Sequence, residues 1–127
     1  WETKLWNDTK FARLADLIHS ELHMKVVFTG SEKAIIENIT SLMTTEGINL
    51  GGATTLLNLA YIYQKAKLVI TTDSGPMHLA AAKGTPVIAL FGPTDPARTG
   101  PYGTGHQIIR TDIACSPCFP GIKSTPW

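Results

Sequence analysis

A chain of 127 residues fits one domain of ordinary size, long enough to bury a single core and short for a complete two-substrate enzyme. With 43% hydrophobic and 17% charged residues it is globular in composition, and no apolar run approaches bilayer-spanning length, so a soluble protein is expected. Lys plus Arg number 11 against 10 Asp plus Glu, a formal charge of +1 that gives no footprint for nucleic acid; any anion has to be met by local groups.

The chain opens Trp1-Glu2-Thr3-Lys4, with neither an initiator Met nor a basic segment leading into an apolar one, which reads as a fragment boundary rather than a secretory leader. Phe11, Leu14, Ala15, Ile18 and Leu22 recur at helical spacing, with Asn7 or Asp8 as N-cap. Lys25 to Thr29 reads as a short buried strand stopped by Gly30. Ser31 is the expected cap of the next helix, whose stripe is Ile35, Ile36, Ile39, Leu42 and Met43 and which ends before Gly47. Ile48 to Leu50 is a weaker strand, followed by a Gly51-Gly52 turn and a third helix on Leu56, Leu59, Ala60 and Tyr63 that ends near Lys65 or Ala66.

The strand Leu68 to Thr71 comes next, then a compact Ala-rich helix from Gly75 to Lys83 closed by Gly84, and the strongly apolar strand Pro86 to Phe91. A Gly/Pro-rich loop from Gly92 to Gly105 precedes a last strand, Gln107 to Arg110. The tail carries the only cysteines, Cys115 and Cys118. One Cys-x-x-Cys supplies half of a four-cysteine zinc site, and a thioredoxin-like pair sits where a strand enters a helix, not in a Pro-rich tail; a plain structural tail is the reading, with redox or metal roles as alternatives. Repeated alternation of helix and strand with short connections implies an α/β fold, a parallel sheet with helices on both faces. Ligands of such sheets gather outside the carboxyl ends of the strands.

Two loops at that edge carry the chemistry. Thr72-Asp73-Ser74-Gly75-Pro76-Met77-His78 follows one strand and opens a helix. Gly75 lets backbone come close to a ligand, and the first helical amides point outward with partial positive charge, a natural diphosphate cradle. Ser74 adds a hydroxyl and His78, one turn in, a ring donor or a positive charge. The bland alternative is that Asp73 or Ser74 caps the helix and His78 packs as a neutral residue. Gly92-Pro93-Thr94-Asp95-Pro96 follows the next strand, so a second polar, Gly-containing loop meets the same edge.

The run Asp73-Ser74-Gly75-Pro76-Met77-His78-Leu79-Ala80-Ala81-Ala82, then Gly84-Thr85-Pro86-Val87, then Leu90-Phe91-Gly92-Pro93-Thr94-Asp95-Pro96 resembles glycosyltransferase family 9, the ADP-heptose:lipopolysaccharide heptosyltransferases. The likeness extends upstream through Lys4-Leu5-Trp6, Thr29-Gly30-Ser31-Glu32 and Leu50-Gly51-Gly52-Ala53-Thr54-Thr55-Leu56. It implies a GT-B architecture of two facing Rossmann-like domains, with residues 1–127 as the single carboxyl-terminal, nucleotide-sugar-binding one. It further implies that Asp73, Ser74, Gly75, His78 and Lys4 meet the donor diphosphate, while Glu32 approaches the nucleoside and Thr54 lines the adenine pocket through backbone. Left to residue chemistry alone, Lys4 is equally a solvated terminal lysine and Glu32 a first-turn acid favoured by the helix dipole.

The family's amino-terminal acceptor domain and its catalytic carboxylate have no counterpart here, nor has the first strand of this domain, and the chain stops before the family's closing helices. No catalytic residue is therefore expected in this fragment, and Asp73 is a poor candidate for the general base. No cofactor and no metal are expected, the growing charge on the leaving ADP being met by amides, Ser74, His78 and Lys4. The implied partners are ADP-heptose or a related sugar nucleotide and, through the missing domain, a lipopolysaccharide-core acceptor, at a cytoplasmic location on the inner face of the membrane. The competing functions are a transferase or epimerase for another sugar nucleotide and a non-catalytic nucleotide-binding module.

Overall fold

The computed structural model describes residues 6–111, which fall into two compact units, one of Trp6–Tyr61 and one that begins at Ile62. The first unit starts with α1 (Asp8–Leu22), β1 (Val27–Phe28), α2 (Lys33–Leu42) and β2 (Ile48–Asn49); α3 (Leu56–Lys65) begins in it and ends in the second. As expected, Asn7 caps α1, its side chain accepting from the amides of Thr9 and Lys10 and satisfying donors that the first turn leaves open. β1 and β2 pair in parallel, Val27 opposite Ile48 and Phe28 opposite Asn49. Their pairing is continued by the Gly52 amide, which donates to the Gly30 carbonyl at 2.7 Å. α1 and α2 bury Ala12 and Ala15 with Ile36 and Ile39, the small residues of one helix allowing close approach of the branched ones of the other.

The cap of α2 differs from expectation. Glu32, not Ser31, takes the N-cap position, and its side chain makes no capping bond. The Ser31 carbonyl accepts from Lys33 at 3.0 Å, so the tight turn after Gly30, which has φ of +151°, places Ser31 outside the helix start. Glu32 is thus not a first-turn acid either. In α3 the stripe holds through Leu59, Ala60 and Tyr63, whereas Leu56 stands largely in solvent.

A polar tie closes this unit. The Asp16 carboxylate of α1 accepts from the amides and hydroxyls of both Thr44 and Thr45, at 2.7 to 3.1 Å, just beyond α2. Bonds to a carboxylate favour its charged form. The Thr44 amide first, then the Thr45 hydroxyl, hold the Asp16 carboxyl down at about 2, below its ordinary 3.8.

The second unit contains β3 (Val69–Thr72), α4 (Gly75–Ala82), β4 (Val87–Phe91), α5 (Pro96–Thr99) and β5 (Gln107–Arg110). All three strands are parallel in the order β3-β4-β5, with Thr72 opposite Leu90 and Phe91 opposite Arg110. Central β4 buries Val87, Ala89 and Phe91, while Met77 and Ala80 of α4 are wholly buried; Ala at both 80 and 89 is what lets a helix lie this close to a strand. α4 ends as the sequence predicts: Gly84 has φ of +75°, its amide bonds the Ala81 carbonyl and the Thr85 amide the Ala80 carbonyl, a Schellman closure. The α/β class with parallel strands is as expected, but the described strands form two sheets, β1-β2 and β3-β4-β5, where one was anticipated. The pairing in the first is limited to two residues on each strand.

The Asp16 tie yields a pH test. Because its pKa is depressed on folding, the stability it contributes is present above about 3.8 and is lost as pH falls through about 2. Asp16→Asn should lower the urea midpoint at neutral pH, and the difference between the two proteins should shrink across that window. A constant difference down to the lower limit would show that the carboxylate charge is not what the threonines hold.

Candidate functional site

The parallel register of β3 and β4 ends both strands at the same edge, so the turns that follow them emerge together. The first turn is Asp73-Ser74, with α4 starting at Gly75. Ser74 occupies the N-cap position in an extended conformation, yet its side chain makes no capping bond. Its hydroxyl instead donates to the Thr72 carbonyl at 3.1 Å and lies 3.2 Å from the Thr71 hydroxyl. The α4 N-terminus consequently carries no Ser74 cap, no acidic residue in its first turn, and a proline, Pro76, which has no amide to satisfy. What remains is the positive end of a helix dipole, unneutralised by its own first turn.

Gly75 is exposed and heads this helix. A Cβ built on it meets no heavy atom within 4 Å, and its φ is not in the left-handed region. Neither packing nor backbone conformation calls for glycine here; its effect is to leave bare backbone facing open space. His78 is also exposed, one turn along, which sets aside the alternative that it packs into the core.

The carboxylate of Asp73 behaves differently. It is buried, and its Oδ2 accepts from the Thr94 hydroxyl at 2.8 Å; Thr94 is 2% exposed. This bond joins the turn after β3 to the turn after β4. The latter runs into α5, where the Asp95 carboxylate accepts from the Ala97 amide at 3.0 Å and Pro96 sits in the first turn. Thr94 and this short helix were within segments whose sequence was informative, but no spacing signal singles out a threonine as the partner of an aspartate 21 positions earlier. Asp95-Pro96 is itself a helix-start signal that a loop reading passes over.

Asp73, Ser74, Gly75 and His78 therefore lie together at one strand-to-helix turn. Glu32 and Thr54 belong to the other unit, where Glu32 is exposed and Thr54 half-buried. Lys4, Cys115 and Cys118 lie outside the described residues. Among the described residues no helix is long and apolar enough to cross a membrane.

A unit of parallel strands joined by a helix that starts at the strand ends belongs to the Rossmann-like class of α/β folds. The comparisons narrow this class. The sequence model of glycosyltransferase family 9 (heptosyltransferase) matches residues 1–126, and the chain belongs to that family. It is 36% identical over 110 residues to the lipopolysaccharide core heptosyltransferase OpsX of Haemophilus influenzae, covering 84% of this chain and 31% of that protein. Among solved structures it superimposes on the family 9 glycosyltransferase of Veillonella parvula with a TM-score of 0.82 at 34% identity, covering 87% of this chain and 32% of that one. The Escherichia coli ADP-heptose lps heptosyltransferase II gives the same TM-score, 0.82, at 32% identity, covering 90% of this chain and 36% of that one. The GT-B, Rossmann-like fold class expected from the motifs is thus shown, and the chain spans about a third of the length of the relatives it matches.

Two glycines at this edge serve different ends, and substitution separates them. Gly75→Val should leave the denaturant midpoint nearly unchanged, within about 0.5 kcal/mol, because the side chain enters open space. Gly100→Ala should destabilise by roughly 1–3 kcal/mol, because its Cβ would fall 2.4 Å from the Pro96 carbonyl oxygen, which the Gly100 amide bonds at 2.8 Å. Equal midpoints for the two variants would refute the distinction.

Proposed function

We propose that this chain is the nucleotide-sugar-binding domain, residues 1–127, of a heptosyltransferase that transfers heptose from ADP-heptose to the lipopolysaccharide core. The single observation that carries the reading is the α4 N-terminus: exposed Gly75 with nothing near its missing Cβ, no capping bond from the Ser74 side chain, and His78 one turn away. The family membership and the names of the similar proteins supply the sugar nucleotide and the acceptor class.

In this reading an acceptor hydroxyl oxygen bonds the anomeric carbon with inversion, loses its proton to a general base outside this chain, and ADP leaves as the bond to its β-phosphate oxygen breaks. The residues here act on the leaving group. The first amides of α4 and the His78 ring face the diphosphate, and positioned dipoles of this kind stabilise charge that grows in the transition state. Ser74 adds its hydroxyl by turning its proton away from the Thr72 carbonyl. Lys4 would bring a compact positive charge to the same phosphates. Glu32 and Thr54 take the nucleoside roles that the family pattern gives them. We place the working enzyme in the cytoplasm, at the inner face of the membrane where such an acceptor is presented.

The decisive experiment is calorimetric titration of the chain with ADP, UDP and GDP. ADP should bind tightest; equal or reversed preference would move the substrate to another sugar nucleotide. Gly75→Val should weaken ADP binding while the fold stands. His78→Ala should cost about 1–3 kcal/mol of binding, the range for a charge-assisted hydrogen bond. Unchanged ADP affinity in both variants would remove the diphosphate from this helix end.

A further inference from the structure

We infer that Thr94 is a positioning residue for the diphosphate end of this site, acting through the Asp73 carboxylate. The inference rests on the nucleotide-binding reading and deepens it, giving Asp73, which the family resemblance sets against the diphosphate, an inward-facing role in place of direct contact. Asp73 sits between the end of β3 and the N-terminus of α4, two residues before Gly75. A carboxylate there is chemically awkward. Left to itself it is drawn to the open amides of the helix it precedes, and it repels an anion that seeks the same amides.

The structure shows one buried contact that holds it inward. The Asp73 side chain is turned inward, where its Oδ2 accepts a hydrogen bond from the Thr94 hydroxyl at 2.8 Å, and both residues are buried. A hydroxyl-to-carboxylate bond shielded from water is among the stronger neutral-to-charged contacts, and it holds direction as well as distance. Thr94 lies between buried Phe91, which ends β4, and Asp95, which caps α5. Threonine suits the position because its branched Cβ leaves few side-chain rotamers, so the hydroxyl is aimed without further ordering. The bond thus does two things at once. It locks the turn after β3 to the turn after β4, and it keeps a negative charge off the helix end that is to receive another.

The test is ADP titration of the chain and its variants, with a denaturant midpoint for each. Thr94→Val removes the hydroxyl at nearly constant volume and should weaken ADP binding about tenfold or more, the effect of losing a bond to a charged group. Thr94→Ser keeps the hydroxyl and should restore affinity to within a few-fold. The distinguishing measurement is the pair: if Thr94 acts through Asp73, then Asp73→Ala and the double variant Asp73→Ala/Thr94→Val bind ADP alike, since the second change has nothing left to release. Additive losses in the double variant would overturn the inference, as would wild-type affinity in Thr94→Val. Thr94→Ala stands in should the valine variant not fold; collapse of both would mean the bond serves folding alone and would equally overturn it. Failure of the unmodified chain to bind any nucleotide would instead defeat the underlying reading of the site, and this inference with it.

Discussion

The parallel register between β3 and β4 is the constraint on which the site depends. Because Thr72 lies opposite Leu90, the two strands run out together, and the chain must turn at the same edge after each. A parallel neighbour can be reached only by a crossover, and here that crossover is α4, eight residues long and packed by Met77 and Ala80 against the sheet. The helix begins where the strand stops, so its positive end is aimed along the strand edge as a matter of connectivity. Its far end is closed by Gly84, whose positive φ allows the chain to reverse into β4 within a few residues. Shift that register by one and Asp73 no longer meets Thr94.

Much of this is legible in the sequence. Helical periodicity located α1 to α3, an Ala-rich stretch closed by Gly84 located α4, and short apolar runs located the five strands, while Asn7 and Gly84 perform the capping that their chemistry suggests. These features are local: each depends on residues within a turn or two. What was not legible is non-local or accidental to sequence. Glu32 displaces Ser31 at the start of α2 because the backbone leaves Gly30 in an unusual conformation, which no propensity encodes. The short α5 hides in a Gly/Pro-rich stretch because a four-residue helix has no hydrophobic period to display. The division of the described strands into two sheets concerns long-range pairing, the weakest thing that alternation of elements can specify.

The site shows the same partition. The Asp73-Ser74-Gly75 turn and His78 could be picked out because a glycine ahead of an apolar helix, beside polar residues, is a local pattern with a physical meaning. The roles within it could not be separated from that pattern. Asp73 and Ser74 both look like helix caps on paper, yet one hydroxyl is spent on the Thr72 carbonyl and one carboxylate accepts from Thr94. Thr94 became visible only through a bond between residues 21 positions apart.

The two aspartates of this edge illustrate how similar side chains reach opposite ends. Asp95 sits in front of α5 and does what such a residue does by default, accepting from the Ala97 amide and satisfying the helix it precedes. Asp73 sits just ahead of α4 and accepts from Thr94, while the Ser74 hydroxyl is spent on the Thr72 carbonyl and the first turn of that helix holds no acid. α5 is a helix of four residues whose end is already served from within the chain. α4 is the longer helix, its end is exposed at Gly75, and its first turn carries no charge to offset the dipole. One carboxylate thus satisfies the helix start it precedes, while the other is turned inward and accepts from Thr94 across to the neighbouring turn, so the same side chain serves local capping in one place and long-range tethering in the other.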